Sequence, residues 1–290
     1  MKRGERSWEF VELMVNKMLI VGIGQAGKSI AELFRPHSKN YKILIFDDGD
    51  GLDSKESVEA YDEHPIKISS RGLKSHDKGL LFVCGSGKVA GVTLRVLEAL
   101  QAHQMTVVYI EPDLEFASKD ERLRHRVHFG VLQEFTRSGK IKEMIMLSNK
   151  ILLDLTGAGP IKEYYKKVNY YIYSLFQNLN YCDNVDQDFG KFHTPKEISR
   201  ISTIGWSLLS GDDKIFYNLE NITESQYYFN IDQEDLDNDE EVVPNCHQVV
   251  RTNKDLGRET SFAIWSNSEP DNHYYVKHYT HYTQEVQWIN

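Results

Sequence analysis

The sequence predicts an α/β fold in three parts: a domain built on a parallel sheet, a long central helix, and a smaller α+β domain. Short apolar runs alternate with helical patterns over residues 18–158, which is typical of parallel strands covered by helices on both faces. The run IKEYYKKVNYYIYSLFQNLN has the periodicity of one helix, assigned to 159–182. Residues 183–290 are richer in Asp, Asn, Thr and aromatic residues, and they form the predicted second domain.

Five strands are predicted in the first domain, and each ends at a glycine-rich, acidic or polar turn. They cover residues 17–23, 41–48, 79–86, 105–112 and 142–149. Helices are predicted between them, and a further helix is predicted in an N-terminal extension, residues 1–17. Strand candidates in the second domain are 215–219, 226–231, 260–266 and 272–282. Because open parallel sheets bind ligands at their carboxyl edge, we expect a site where the first five strands end.

Composition limits the class of protein. The 290 residues are 40% hydrophobic and 27% charged, as in ordinary globular proteins. The net charge of −9 argues against direct binding of nucleic acid by a generally basic surface. Three scattered cysteines fit a reducing compartment, and no apolar run reaches the roughly 18 residues of a membrane span. The charged start MKRGERSWEF lacks a signal-peptide pattern, so we expect a cytoplasmic protein.

The first strand leads into a glycine-rich turn, IVGIGQAGKSIAELF, over residues 20–34. Gly22, Gly24 and Gly27 match G-x-G-x-x-G, in which backbone N–H groups approach a phosphate at a helix N-terminus. Asp47 follows about 20 positions later, where dinucleotide-binding sites place the acid that binds a ribose. An NAD(P)-dependent oxidoreductase is therefore one interpretation.

A second glycine-rich turn, GSGKVAG over residues 85–91, follows the third predicted strand. A dinucleotide-binding fold needs one such turn. Two anion-binding turns at one sheet edge instead favour a single polyphosphate held from both sides.

The ordered set of motifs resembles the tubulin/FtsZ superfamily. GIGQAGKSIAELF is similar to the first turn and helix of tubulin, and FVCGSGKVAGVTLRVLEAL is similar to the family's GGGTGTG segment. TVVYIEPDLEF, HFGVLQEF, IMLSNKILLD and DNVDQDFGKF then follow in family order up to residue 192. Residues beyond 192 match only in outline.

This resemblance implies a protein that binds GTP or GDP, with Mg²⁺ as a candidate ion, and assembles head-to-tail with copies of itself. The family recognises the base with an asparagine after the fifth strand and with an aromatic and a polar residue on the central helix. The matching residues are Asn149, Tyr165 and Asn169; Tyr165 and Asn169 share a helix face at i, i+4, and a core position for Tyr165 is the alternative. The residues assigned to the phosphates and ribose are Gly24, Gln25, Ala26, Gly27, Asp47, Gly85, Ser86, Gly87, Lys88 and Gly91.

The resemblance also implies GTP hydrolysis by carboxylates that the next subunit of a filament presents. Asp186 and Asp188 are the matching acids. Asp188 lies one residue early, and Phe189 stands where the family has the second acid. A non-hydrolysing assembly protein with the same fold therefore remains an alternative.

Two further departures concern the phosphate site. Lys88, Val89 and Ala90 replace the usual Thr, Gly and Thr of the second turn. Val89 disfavours a positive φ, so we expect a backbone N–H to be lost from the cradle. Lys88 is either its cationic replacement or a solvated loop residue. Glu115 and the arginines at 122, 124 and 126 are out of register with the family's nucleotide-contacting arginine and receive no role.

Other signals are weaker. DLDND at 235–239 lacks the glycine and the final glutamate of a calcium loop, and His273, His278 and His281 are not arranged to hold zinc, so no metal site is predicted. The divergent turns resemble those of plasmid and phage members of the superfamily, which leaves a DNA adaptor or a virion open as a partner.

Overall fold

The computed structural model describes residues 17–37, 39–47, 68, 73, 77–156, 160–211, 214–253, 257–267 and 272–285. The described residues fall into two compact units, which divide inside one long helix between Gln177 and Asn178. The N-terminal unit holds residues 17–177 and 283–285, and the C-terminal unit holds 178–282. The helix predicted within residues 1–17 lies outside the described residues apart from Lys17. In the described part of the chain, no helix is long and apolar enough to cross a bilayer.

The N-terminal unit is built on five parallel strands, as the alternation of strands and helices predicted. They are β1 (Met18–Ile23), β2 (Tyr41–Phe46), β3 (Lys78–Cys84), β4 (Gln104–Glu111) and β5 (Glu143–Ser148). Their order is β2-β1-β3-β4-β5, and every neighbouring pair is parallel. The central strands are buried along nearly their whole length, which explains their continuous apolar sequences.

Four helices and most of a fifth accompany these strands. They are α1 (Gly24–Leu33), α2 (Thr93–Ala99), α3 (Lys119–Arg137), α4 (Asn149–Thr156) and α5 (Ile161–Asn184). The long central helix is therefore confirmed. A capping box starts α3, in which Ser118 Oγ accepts from the Glu121 N–H and the Glu121 carboxylate accepts from the Ser118 N–H. α4 was not predicted, because its first residue, Asn149, was assigned to the end of β5.

The helices cover both faces of this sheet. Phe82 of β3 packs on Phe176 of α5, with ring centroids 5.4 Å apart. Tyr109 of β4 is the register partner of Val83 in β3. Val83 follows Phe82, and successive side chains of a strand lie on opposite faces, so Tyr109 lies on the face opposite Phe82. Tyr109 packs there on Phe129 of α3, with centroids 5.5 Å apart. α5 and α3 thus bury opposite faces, which leaves the strand ends as the place for a site.

The C-terminal unit is a mixed sheet. Its strands are β6 (Phe189–Lys191), β7 (Ile201–Leu208), β8 (Lys214–Ile215), β9 (Glu224–Asp232), β10 (Glu259–Asn267) and β11 (His273–Thr280). The order is β7-β11-β9-β10-β6, with β8 on β7. β9 and β10 are parallel and the other pairs are antiparallel. The helices α6 (Gln233–Asn238) and α7 (Val242–Thr252) follow β9, and α7 packs through Val242 and Cys246 on a core with Tyr227, Phe229 and Tyr274.

The predictions for this unit were incomplete: β6, β7, α6 and α7 were not predicted, and one predicted strand is much shorter. The strand predicted at 215–219 is confined to Lys214–Ile215, and the next two aromatic residues are buried outside any strand. β7 was missed because Ser202, Thr203 and Gly205 interrupt its apolar run, although Ser202 and Thr203 are completely buried. α7 was missed because Pro244 lies near its start, where the missing N–H costs nothing.

Candidate functional site

The predicted phosphate turns lie on adjacent strands at one edge of the N-terminal sheet. Carboxyl ends of parallel strands meet at the same edge, and β1 is paired with β3. The turn 24–27 follows β1 and the turn 85–91 follows β3. Asp47 follows β2, and Asn149 follows β5. The structure therefore brings these four segments to one edge.

The first turn is the start of α1 itself. Gly24, its first residue, has a φ of +67°, a conformation that glycine adopts readily. Ile23 before it supplies no side-chain cap, and the first turn contains no acidic residue. The first N–H groups of a helix, here including those of Gln25, Ala26 and Gly27, have no intrahelical acceptor and carry the positive end of the helix dipole. This end of α1 is suited to an anion.

The other two fingerprint glycines serve packing. A Cβ on Gly27 would overlap the carbonyl oxygen of Phe82, and a Cβ on Gly22 would lie 2.7 Å from the carbonyl carbon of Gly27. Neither residue has a positive φ. Gly22 and Gly27 therefore let α1 lie directly against β1 and β3, which fixes the position of its N-terminus.

The second turn has ordinary backbone geometry. Val89 has φ −89° and ψ −3°, and its side chain is buried. None of Gly85, Gly87 and Gly91 has a positive φ. The expectation that Val89 would cost the turn a backbone N–H by disfavouring a positive φ therefore does not apply, because Val89 has a negative φ and its side chain enters the core.

Several N–H groups of the second turn remain available. The N–H groups of Gly87 and Ala90 donate to the carbonyls of Cys84 and Gly87, at 3.2 and 3.1 Å. Those of Lys88 and Val89 have no acceptor among the residues that the structure describes, and that of Ser86 meets only the Cys84 thiol, a weak acceptor. The Lys88 side chain is exposed. The turn thus offers N–H donors and one cation.

Two side chains of α3 hold this turn. Arg124 Nε donates to the carbonyl oxygen of Ser86 at 3.0 Å, and His128 Nδ1 donates to the carbonyl oxygen of Gly85 at 3.2 Å. Sequence reasoning assigned no role to Arg124 and did not consider His128. Their i, i+4 spacing puts them on one face of a helix, but nothing in the sequence indicates which loop that face meets.

Arg122 and Glu115, near the start of α3, each have a partner within the protein. Arg122 Nε donates to the Ala117 carbonyl at 3.0 Å. Glu115 pairs with Lys150 at 3.2 Å, and both side chains are about half exposed. Arg126 is exposed. Arg122 and Glu115 therefore hold the start of α3 and its approach segment.

A buried polar chain lies beneath the second turn. The hydroxyl of Tyr109 is 2.7 Å from Nδ1 of His125, and Nε2 of His125 lies 3.8 Å from a carboxylate oxygen of Glu111. Burial raises the pKa of Glu111 to about 7 and lowers the pKa of His125 to about 4. Near neutral pH, His125 is therefore uncharged and Glu111 is close to half-protonated.

The candidate base-binding residues are accessible. Tyr165 is 50% exposed, so the alternative that it is a core residue does not hold. Asn169 lies one helical turn further along α5 and is half-buried. Asn149 is the first residue of α4 and is also half-buried.

Asp47 has a partner inside the protein. Its carboxylate accepts from Lys28 Nζ of α1 at 2.6 Å, and the Asp47 side chain is 27% exposed. In a dinucleotide site, the corresponding acid accepts from ribose hydroxyls. The ion pair therefore weighs against a ribose contact by Asp47.

The two candidate catalytic acids lie in the C-terminal unit. Asp188 accepts from the Ser266 N–H at 2.7 Å, and its own N–H donates to the Ile264 carbonyl. Asp186 is exposed, and no described residue bonds to its carboxylate. The two acids therefore differ: Asp188 fixes the segment before β6, whereas the carboxylate of Asp186 bonds to no described residue.

No metal centre is found within the described ranges, where no three His, Cys, Asp or Glu side chains could hold an ion. DLDND falls mostly within α6 and cannot form a calcium loop. His278 is buried and lies 2.8 Å from the Ser225 hydroxyl, whereas His281 follows β11.

Solved structures place this architecture among known folds. A point mutant of FtsZ from M. jannaschii aligns with a TM-score of 0.66 at 12% identity, over 93% of this chain and 92% of that one. TubZ from Bacillus thuringiensis serovar israelensis, a GTPγS-form protofilament, gives 0.65 at 16% identity, over 93% and 90%. CetZ2 from Haloferax volcanii, a GTPγS-bound protofilament, gives 0.66 at 10% identity, over 90% and 92%.

The chain therefore has a tubulin/FtsZ-like fold, as the ordered motifs predicted. No protein-family model and no curated protein matches the sequence.

Proposed function

We propose that this chain binds a guanine nucleotide at the carboxyl edge of its N-terminal sheet and assembles head-to-tail into filaments. The observation that carries the proposal is the pairing of two anion-suited turns on adjacent strands, the uncapped start of α1 and the turn 85–91. Each offers N–H groups to a phosphate chain. The fold is that of proteins solved as protofilaments with guanine nucleotide analogues.

The roles of individual residues follow from their positions. The N–H groups of residues 24–27 and of Ser86, with the Lys88 ammonium, hold the phosphates. The exposed ring of Tyr165 stacks on the base, and the amides of Asn149 and Asn169 contact its edge. Mg²⁺ enters with the phosphates, since the described residues form no metal cage.

Hydrolysis in this proposal requires a second subunit. Asp186 of one copy orients or deprotonates water opposite the γ-phosphate held by the next copy. A contact between different surfaces of identical subunits is heterologous and extends into a filament when its rotation does not close. Turnover per subunit is then a function of protein concentration.

A second candidate is a non-hydrolysing assembly protein with the same fold. It is favoured by the engagement of Asp188 with Ser266, which leaves Asp186 as the single unengaged acid of the predicted pair. An NAD(P)-dependent oxidoreductase is disfavoured, because a dinucleotide-binding fold needs one anion-binding turn and this chain has two. The ion pair of Lys28 with Asp47 weighs against a ribose contact by Asp47 in either kind of site.

One set of measurements separates these candidates. Denaturing the purified protein and identifying the released nucleotide should yield GDP or GTP, and phosphate release per subunit should rise steeply with protein concentration. Asp186→Ala should keep nucleotide binding and lose phosphate release. If no phosphate is released at any protein concentration, the non-hydrolysing assembly protein is favoured. If the fluorescence of a nicotinamide cofactor rises on mixing with the protein, and guanine nucleotides do not reverse the rise, the oxidoreductase is favoured.

A further inference from the structure

Side chains of α3 fix the backbone conformation of the turn 85–91. Its glycines do not fix it through left-handed backbone conformations. Two successive carbonyl groups, those of Gly85 and Ser86, each accept a hydrogen bond from α3. The donors, His128 and Arg124, are four residues apart and therefore lie on one face of the helix. A single helix face thus fixes the orientation of two consecutive peptide groups.

Gly85 is also fixed by the sheet beneath it. A Cβ at this position would overlap the hydroxyl of Tyr109, so the backbone lies directly on that side chain. The same hydroxyl bonds His125, which is also a residue of α3. The Gly85 N–H donates to the Ile110 carbonyl of β4 at 3.1 Å. Gly85 is therefore held on both sides by residues of β4 and α3.

The consequence for the turn follows from peptide geometry. A peptide group is planar and trans, so its C=O and its N–H point in opposite directions. Since the Gly85 carbonyl points to His128, the N–H of Ser86 in the same peptide group points away from α3. Among the described residues that N–H meets only the thiol of Cys84, a weak acceptor that an anion can replace.

The protonation of the donor is compatible with this role. His128 is 6% exposed, and burial lowers its pKa, so the imidazole is neutral near pH 7. Because a carbonyl can only accept, the proton of the neutral ring is on Nδ1. Arg124 keeps its charge at any relevant pH.

We propose that Arg124 and His128 are positioning residues for the phosphate turn, which present the Ser86 N–H to the bound anion by holding the Gly85 and Ser86 carbonyls. This inference rests on the proposed nucleotide site. It accounts for a turn that carries Lys88 and Val89 and still offers N–H donors. Neither side chain needs to touch the nucleotide.

The test uses the full chain and three variants of α3. His128→Asn keeps a donor at the place of Nδ1, His128→Leu removes it, and Arg124→Ala removes the second donor. Arg137→Ala is the matched control, because Arg137 is exposed on the same helix and pairs with Glu134. Affinity is measured by fluorescence titration with labelled GDP and labelled ADP and by calorimetry with inorganic triphosphate. Amide exchange of the segment 85–92 is measured without ligand.

We expect His128→Leu and Arg124→Ala to weaken both ligands about tenfold each, the effect of one lost hydrogen bond, and to speed amide exchange in the turn. His128→Asn should stay within about threefold of the wild type, and Arg137→Ala should match it. Folded Leu and Ala variants with wild-type affinity and exchange would overturn the inference. If triphosphate binding depends on the two side chains while guanine and adenine nucleotides bind equally, the proposed function fails and the positioning role stands. A wild-type chain that binds neither ligand overturns both.

Discussion

Gly27 of α1 lies directly on the backbone of Phe82 in β3: a Cβ added to Gly27 would overlap the Phe82 carbonyl oxygen and come within 3.1 Å of its carbonyl carbon. Helix and strand are therefore in contact without an intervening side chain. This contact sets how closely the N-terminus of α1 approaches the turn after β3, and so the distance that a phosphate chain would bridge in the proposed site.

Gly27→Ala should destabilise the protein by about 3 kcal/mol, because the methyl group meets rigid backbone and the helix must shift. Urea unfolding followed by circular dichroism measures the loss. Gly130→Ala is the control, since Gly130 lies in the middle of α3 with no atom within 4 Å of an added Cβ. That variant should gain about 0.5–1 kcal/mol from helix propensity. Equal effects of the two substitutions would contradict the close packing of α1 on β3.

Gly24→Ala tests conformation without packing. An added Cβ at Gly24 has no neighbour within 4 Å, but the φ of +67° is unfavourable for alanine, so the free energy of unfolding should fall by about 1–2 kcal/mol. Asparagine tolerates this region better, and Gly24→Asn should recover part of the loss. The same unfolding measurement compares the two. If alanine is as stable as glycine here, α1 does not begin with a left-handed residue.

The N-terminal sheet was predictable because its central strands are buried on both faces and its strands read as mostly apolar runs. β9 and β7 show the limit of that signal. Glu224, Ser225 and Gln226 begin β9 and are all buried, so the predicted strand started only at residue 226. Burial of polar residues depends on partners distant in sequence, such as Ser199, whose hydroxyl donates to Glu224 at 2.7 Å, and no local pattern reports it.

The candidate site was likewise only partly predictable from the sequence. Glycine spacing identified both turns, although only Gly24 among their glycines has a positive φ and Gly22, Gly27 and Gly85 are required by close packing. The bond from His128 to Gly85 joins residues 43 positions apart, and the ion pair of Lys28 and Asp47 depends on how α1 lies beside β2. Such contacts follow from tertiary packing and are invisible to motif reading. The Val89 expectation does not apply because the signature sequence was taken to require a glycine conformation that this turn does not use.

Alanine substitutions of Asp186 and Asp188 should have different effects on GTP turnover and on stability. Asp188→Ala removes the acceptor of the Ser266 N–H and should lower the free energy of unfolding by about 1 kcal/mol. Asp186→Ala breaks no contact with a described residue and should leave unfolding unchanged, yet abolish GTP turnover at every protein concentration. Chemical denaturation and a phosphate-release assay, run on the same preparations, measure both properties. Full turnover in the Asp186 variant would remove this residue from the mechanism.

Glu111 makes the stability of the N-terminal unit depend on pH. Burial raises its pKa from 4.5 to about 7 in the folded protein, so the folded state holds a proton that the unfolded state releases between these values. The stability from this group is therefore fully present below pH 4.5 and is lost as pH rises through 7. His125 acts in the opposite direction, because its pKa falls from 6.5 to about 4 and its contribution is lost as pH falls through 4.

Glu111→Gln isolates the carboxyl group, since glutamine does not titrate and His125 is present in both proteins. The variant should match the wild type near pH 4 and become more stable by up to about 3 kcal/mol above pH 7, because the pKa shift corresponds to about 1.4 kcal/mol per unit. Unfolding free energies measured at intervals from pH 4 to pH 8 give the difference curve. Its rise should be confined to the range from 4.5 to about 7. A difference that does not vary with pH would show that Glu111 ionises normally, and that the chain from Tyr109 to Glu111 is open to water.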